Sequence, residues 1–159
     1  MSKHQLIEAI LAGLRAELEI AQNAARTAHE AATHEESKAE DQYDTRGLEA
    51  SYLAGAQANR SAELEKQIAY FKFLNVRDFN SKDSVQPGAV VELDCDGKIS
   101  TYFFASQGGG ISVKWGGKNV QVITPASPLG ESISGRVVGD LIEIESAKQS
   151  REFEIISLK

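Results

Sequence analysis

Six carboxylates fall between positions 33 and 49: Glu35, Glu36, Glu40, Asp41, Asp44 and Glu49, with only Lys38 and Arg46 to offset them. Acidic groups in the first turn of a helix interact favourably with its dipole by about 0.3–1 kcal/mol each, which explains one or two of these residues. It does not explain five between Glu35 and Asp44, because like charges that close repel until something positive joins them. A hard cation such as Mg²⁺ suits them, since it is held by one or two carboxylates together with waters and phosphates. The segment is too short to build a closed cage alone. The expectation is therefore that it lends oxygen ligands to a metal held mainly by another protein.

These residues sit between two helical stretches. Ser2 followed by Gln5 is a capping box, and Ile7, Leu11, Leu14, Leu18, Ala21, Ala25, Ala28 and Ala32 then follow at 4-3-4-3 spacing. That heptad seam narrows from Leu and Ile to Ala. A second capping box, Ser37 with Glu40, predicts a turn near 34–37 and a second helix over about 38–74. Folding back there sets Leu11 opposite Leu64 and Ala28 opposite Leu48. Leu64, Ile68, Phe71 and Leu74 then lie at the base, with Ala50, Ala54, Ala58 and Ala62 higher up. At 1.5 Å per residue the second helix spans roughly 55 Å. The reading is a coiled-coil finger over 1–76 whose acidic tip lies at 34–44.

After a polar linker at 77–86 the text changes character, with Gly and Pro punctuating short β-branched and aromatic runs. Strands are expected at Ala89–Leu93, Ile99–Ala105, Ile111–Trp115, Lys118–Ile123, Val137–Glu145 and Arg151–Leu158. Asp96-Gly97 and Gly116-Gly117 are two-residue hairpin signals. A short helix is expected at Pro128–Ser134, stopped by Gly135. The fold class is α+β: a helical hairpin followed, over 87–159, by an antiparallel sheet domain with one short helix.

Composition narrows the partners. The net charge of −6 argues against bulk adhesion to a nucleic-acid backbone. Cys95 is the single cysteine, so no intrachain disulfide and no cysteine-rich metal site can form, which suits a reducing compartment. No apolar run is long enough to span a bilayer, and Met1–Leu14 lacks the apolar core of a signal peptide. A cytoplasmic protein without a membrane partner is expected. His4, His29 and His34 have no nucleophile beside them, and Gly108-Gly109-Gly110 lacks the Lys-Ser/Thr of a phosphate loop.

The residues Ser127-Pro128-Leu129-Gly130, then Gly135-Arg136, then Gly139-Asp140-Leu141-Ile142, with Val85-Gln86-Pro87-Gly88-Ala89-Val90-Val91 before them, resemble the Gre transcript-cleavage factors of bacterial RNA polymerase. The resemblance spans nearly the whole chain. It implies an FKBP-like second domain that docks on the rim of the polymerase secondary channel through Ser127, Pro128, Leu129 and Gly130. It also implies that the finger enters that channel, where Glu36, Glu40 and Asp41 act at the tip. Glu36 and Glu40 would be the ligands to the polymerase's own Mg²⁺, promoting cleavage of the 3′ end of backtracked RNA. The chain itself would bind no cofactor and would be an accessory factor. A monomer is expected when free, although the Leu/Ile-rich base of the finger could self-associate.

Two departures from the family pattern stand out. Aligning Tyr43 with the family's tyrosine puts Glu36 at the position of its Asp and Ala39 at the position of its Glu, with Glu40 adjacent. Ala126 replaces the polar residue that usually precedes Ser-Pro. Three alternatives stand beside the main reading: a channel regulator without cleavage activity, a prolyl isomerase using Tyr102, Phe103, Phe104, Trp115 and Phe153, and a coiled-coil adaptor indifferent to the tip carboxylates.

Overall fold

The computed structural model describes residues 2–33 and 46–159. These form two compact units, Leu11–Lys72 and a second made of Met1–Ile10 with Phe73–Lys159.

Helix α1 runs over Lys3–Thr33 and α2 over Arg46–Phe73. The capping box forms as read. The Ser2 backbone N–H donates to Gln5 Oε1 at 2.9 Å, and the Gln5 N–H donates to Ser2 Oγ at 3.3 Å. The expected α1 seam faces inward from Ile7 to Ala28: Ile7, Leu11, Leu14, Ala21 and Ala28 are buried, and Leu18 and Ala25 are half-buried. Leu6 and Ile10, outside the expected seam, are fully buried as well, and the side chain of Ala32 lies outside the described residues.

The α2 seam is phased differently from the expectation. Phe71, Leu64 and Ser61 are buried and Ile68, Gln57, Ala54, Ala50 and Gly47 half-buried, whereas Ala58 and Ala62 are exposed. Leu48, expected opposite Ala28, is 54% exposed. The large residues Leu64 and Phe71 fix the phase. Heptad steps from them toward the N-terminus land on 61, 57, 54 and 50, so two polar residues occupy the seam. The Ser61 hydroxyl meets its own need by donating to Gln57 O at 3.0 Å. An ion pair of 3.0 Å between Arg60 and Glu17, and a groove shared by Ala21, Gln57 and Leu64, tie the two helices together. The expected turn at 34–37 and the start of the second helix lie outside the described residues.

Six strands form one sheet: β1 Val90–Cys95, β2 Lys98–Phe104, β3 Ser112–Trp115, β4 Lys118–Ile123, β5 Leu141–Glu145 and β6 Ser150–Leu158, in the order β3-β4-β2-β1-β6-β5. Asp96 (φ 52°) and Gly97 (φ 83°) make the β1–β2 turn, and Gly116 (φ 58°) and Gly117 (φ 78°) make the β3–β4 turn. Positive φ at both central residues is what a tight hairpin of the sheet's twist requires.

The sheet is mixed, which corrects the expectation of a wholly antiparallel one: β2 and β4 pair in parallel, with Thr101 opposite Val120 and Phe103 opposite Val122. The chain leaving β2 crosses through the glycine bend to the far edge, where Gly110 N–H donates to Val122 O at 3.0 Å, and returns as β3. The β3–β4 hairpin then seats β4 between β3 and β2.

Both sheet faces carry buried residues. Val91, Leu93, Phe104, Ile142, Ile155 and Leu158 join Ile133 of helix α3 (Pro128–Ile133) in one cluster, and Val90, Phe103 and Val120 are buried on the other face. The stretch read as linker packs as well. Phe79 and Val85 belong to the same cluster, and Val85 exchanges hydrogen bonds with Gly135 N–H (3.0 Å) and Arg136 O (2.7 Å).

Candidate functional site

Of the residues singled out in the sequence, Ser127, Pro128, Leu129 and Gly130 form one local construction. Ser127 has extended backbone (φ −90°, ψ 151°) and caps α3. Its Oγ accepts from Gly130 N–H at 3.1 Å while its hydroxyl donates to Thr124 O at 3.1 Å. Pro128 follows at the first helical position, where the missing N–H costs nothing. Leu129 packs on the core cluster, and Pro128 and Ala126 are exposed. Gly130 is buried against the preceding turn, so a Cβ added there would lie 1.8 Å from Thr124 O. No side chain fits that gap.

The turn is thus held from inside and presents Pro128 outward. The exposed Glu131 follows it in the first turn of α3. Next to it lies a groove of about 500 Å³ lined by Tyr102, Gly110, Gln121, Thr124, Ala126 and Leu129. Sequence reasoning missed Thr124, whose carbonyl accepts from both the N–H and the hydroxyl of Ser127 and sets the glycine requirement. Its position three residues before Ser127, the spacing of a hydrogen-bonded turn, was the available signal.

The tip residues Glu36, Glu40 and Asp41 lie outside the described residues. Among the described residues no three His, Cys, Asp or Glu side chains gather as a metal site, and no helix is long and apolar enough to cross a membrane. His4 and His29 are exposed and separated by 25 positions on one helix, and His34 lies outside the described residues.

The aromatic residues of the isomerase alternative do not converge. Phe104 is buried in the main cluster with Tyr102 and Phe153 half-buried against it, whereas Phe103 is buried on the opposite face. Trp115 sits apart and donates its indole N–H to Ser2 O at 2.9 Å.

Two further charged groups sit in low-dielectric settings. The Lys3 ammonium, in a residue only 8% exposed, donates to Arg77 O at 2.7 Å and Gly88 O at 2.9 Å and lies 4.5 Å from the Phe79 ring centre. Burial lowers its pKa to about 8, partly opposed by Asp78. Glu92 accepts from Lys118 at 2.9 Å, with Lys159 at 3.6 Å, and the Lys118 hydrogen bond holds its carboxyl below the ordinary value. Both groups are structural anchors. Lys3 pins the start of α1 to backbone on either side of Phe79, and Glu92 draws two lysines over β1.

No protein-family model and no curated protein matches the chain. Among solved structures, the chain is similar to the transcription factor Gfh1, at 21% identity over 94% of this chain and 93% of that one with a TM-score of 0.41. It is similar to GreA factor homolog 1 (Gfh1) of Thermus thermophilus, at 24% identity over 95% of each chain with a TM-score of 0.39. The prokaryotic transcription elongation factor GreA/GreB from Nitrosomonas europaea is similar over 60% of this chain and 78% of its own, at 16% identity and a TM-score of 0.39.

Proposed function

We propose that this chain is a Gre-like transcription elongation factor that binds bacterial RNA polymerase at the rim of its secondary channel. The observation that supports this reading most is the α3 turn. Ser127 and Gly130 are consumed in shaping it, Pro128 is left exposed, and these are the residues in which the sequence resembles the Gre docking motif. The heptad hairpin supplies the second requirement, a slender element long enough to reach into a channel.

In this reading the chain is not itself an enzyme. Glu36 and Glu40, with Asp41 beside them, lend carboxylate oxygens to Mg²⁺ of the polymerase active site. A metal so placed would support in-line attack of water on a phosphodiester near the 3′ end of backtracked RNA, the water oxygen bonding to phosphorus as the opposite P–O ester bond breaks. Ala39, standing where the family's Glu is expected, favours a second reading in which the finger occupies the channel without stimulating cleavage.

The test has two stages. The intact chain should co-purify with core polymerase at low salt, and Gly130→Ala should abolish this. Ser127→Ala, which loses a cap worth about 1 kcal/mol, should weaken it. Absence of binding by the intact chain rejects the proposal. Stalled backtracked complexes should then release short 3′ RNA fragments in Mg²⁺, and Glu36→Ala combined with Glu40→Ala should slow that release. Binding without fragments selects the channel-occluding reading.

A further inference from the structure

We propose that the exposed end of the outer sheet face, where Ile99 of β2, Asp94 of β1, Glu154 of β6 and Leu141 of β5 lie, docks a basic amphipathic helix of a protein partner. The pairing register puts Ile99, Asp94, Glu154 and Leu141 in one row across these four strands. Glu143 and Glu152 oppose each other in the adjoining row. Directly paired residues share a face of the sheet. Their neighbours Leu93, Ile155 and Ile142 belong to the buried cluster, so the row points away from it. Ile133 of α3 belongs to that same cluster, which makes this surface separate from the Ser127–Gly130 turn.

The row is apolar at its ends and acidic in its middle. Ile99 is 55% and Leu141 60% exposed. Glu145 adds a fifth carboxylate on the same side of β5. Among the described residues, none of Asp94, Glu143, Glu145, Glu152 and Glu154 has a Lys or Arg in ion-pair range.

Asp94 accepts from Gly97 N–H at 2.8 Å and Glu143 from the Ser150 hydroxyl at 2.6 Å, but these contacts bring no positive charge. Asp94 faces Glu154, and Glu143 faces Glu152, pairings that disfavour the sheet as it stands. Glu92, on the same side of β1, shows how this sheet treats a carboxylate it neutralises itself: two lysines cover it.

Charge complementarity identifies the occupant. An acidic face repels nucleic acid and anionic lipid and attracts Lys and Arg. Three strand spacings separate Ile99 from Leu141, about 14 Å. A helix matches this with apolar residues eleven positions apart, about 16 Å along its axis and on one face, with basic residues between them on the same side.

The experiment uses the full chain and a fluorescein-labelled helical peptide with two leucines eleven positions apart and lysines between them on the same face, read by anisotropy at low salt. The chain should bind the peptide. Glu152→Gln combined with Glu154→Gln, and separately Leu141→Ser, should each weaken binding at least about tenfold. Glu65→Gln, at an exposed position of α2, should leave it unchanged. Absence of binding, equal binding by the face variants, or equal binding of a lysine peptide whose leucines are replaced by serine would each overturn the proposal.

Discussion

The hairpin unit and the sheet unit bury apolar side chains in different ways. In the hairpin one row on each helix carries the burial, from fully buried Leu11, Leu14, Leu64 and Phe71 to half-buried Ala25, Gln57, Ala54 and Ala50. In the sheet unit both faces carry buried residues, Val91, Leu93 and Ile155 on one side and Val90, Phe103 and Val120 on the other, where only the end from Ile99 to Leu141 lies open. A two-sided sheet concentrates its stability, whereas a single seam spreads little stabilisation over a long element. The hairpin gains reach at the expense of local stability, and that stability falls along α2 as the seam passes from Phe71 to Gly47.

The sharpest way to break this contrast is in the sheet unit. Gly130→Ala forces a Cβ against the Thr124 carbonyl, where no rotamer can relieve the clash, and should cost about 3 kcal/mol or more. Gly135→Ala has open space but a left-handed backbone (φ 75°), and should cost only about 1 kcal/mol. Urea unfolding followed by Trp115 fluorescence compares the two, and equal losses would refute the steric account.

The hairpin should respond locally. Leu64→Ala should cost about 2–5 kcal/mol. Hydrogen exchange should then quicken throughout α2 while the amides of β1 keep their protection. A matching loss in β1 would mean that the two units unfold as one.

A smaller effect sharpens the phase of the α2 seam. Gln57→Leu adds apolar area to a half-buried seam position and should stabilise the hairpin by about 1 kcal/mol. Ala58→Leu, on the exposed side, should change stability by less than about 0.5 kcal/mol. Thermal melts followed by circular dichroism distinguish this phase from the one placing Ala58 and Ala62 inside.

A last prediction is a pH dependence of the sheet unit. An unfolded lysine keeps its proton to about pH 10.4, whereas folded Lys3 releases it near 8. Between those values the unfolded chain holds more protons, so Lys3 makes stability rise with pH. Lys3→Met should flatten that slope in urea titrations at pH 8–10. Glu92 acts at the other end. Its lowered pKa stabilises the fold above about 4.5, and that stabilisation is lost as the pH falls through the folded-state value.

The sequence by itself determined what neighbouring residues settle among themselves. The Ser2–Gln5 capping box and the Asp96-Gly97 and Gly116-Gly117 turns are each complete within four residues, so they need no distant partner to form. The α1 seam was legible from Ile7 to Ala28 because its heptad spacing is unbroken, although Leu6 and Ile10 widen the buried stripe at its start.

Tertiary structure decided the rest. Alanines surround much of α2, so its own sequence allowed either 57 and 61 or 58 and 62 to face inward, and the anchoring of Leu64 and Phe71 made the choice. Whether β4 lies beside β2 in parallel depends on where the Gly108–Gly110 bend sends the chain, a long-range matter that strand periodicity does not encode. Likewise Gly130 reads in sequence as a turn residue, and only the position of the Thr124 carbonyl shows that nothing larger fits. Local hydrogen bonds are fixed by covalent neighbours. Packing phase and strand order depend on atoms that the chain brings together only when it folds.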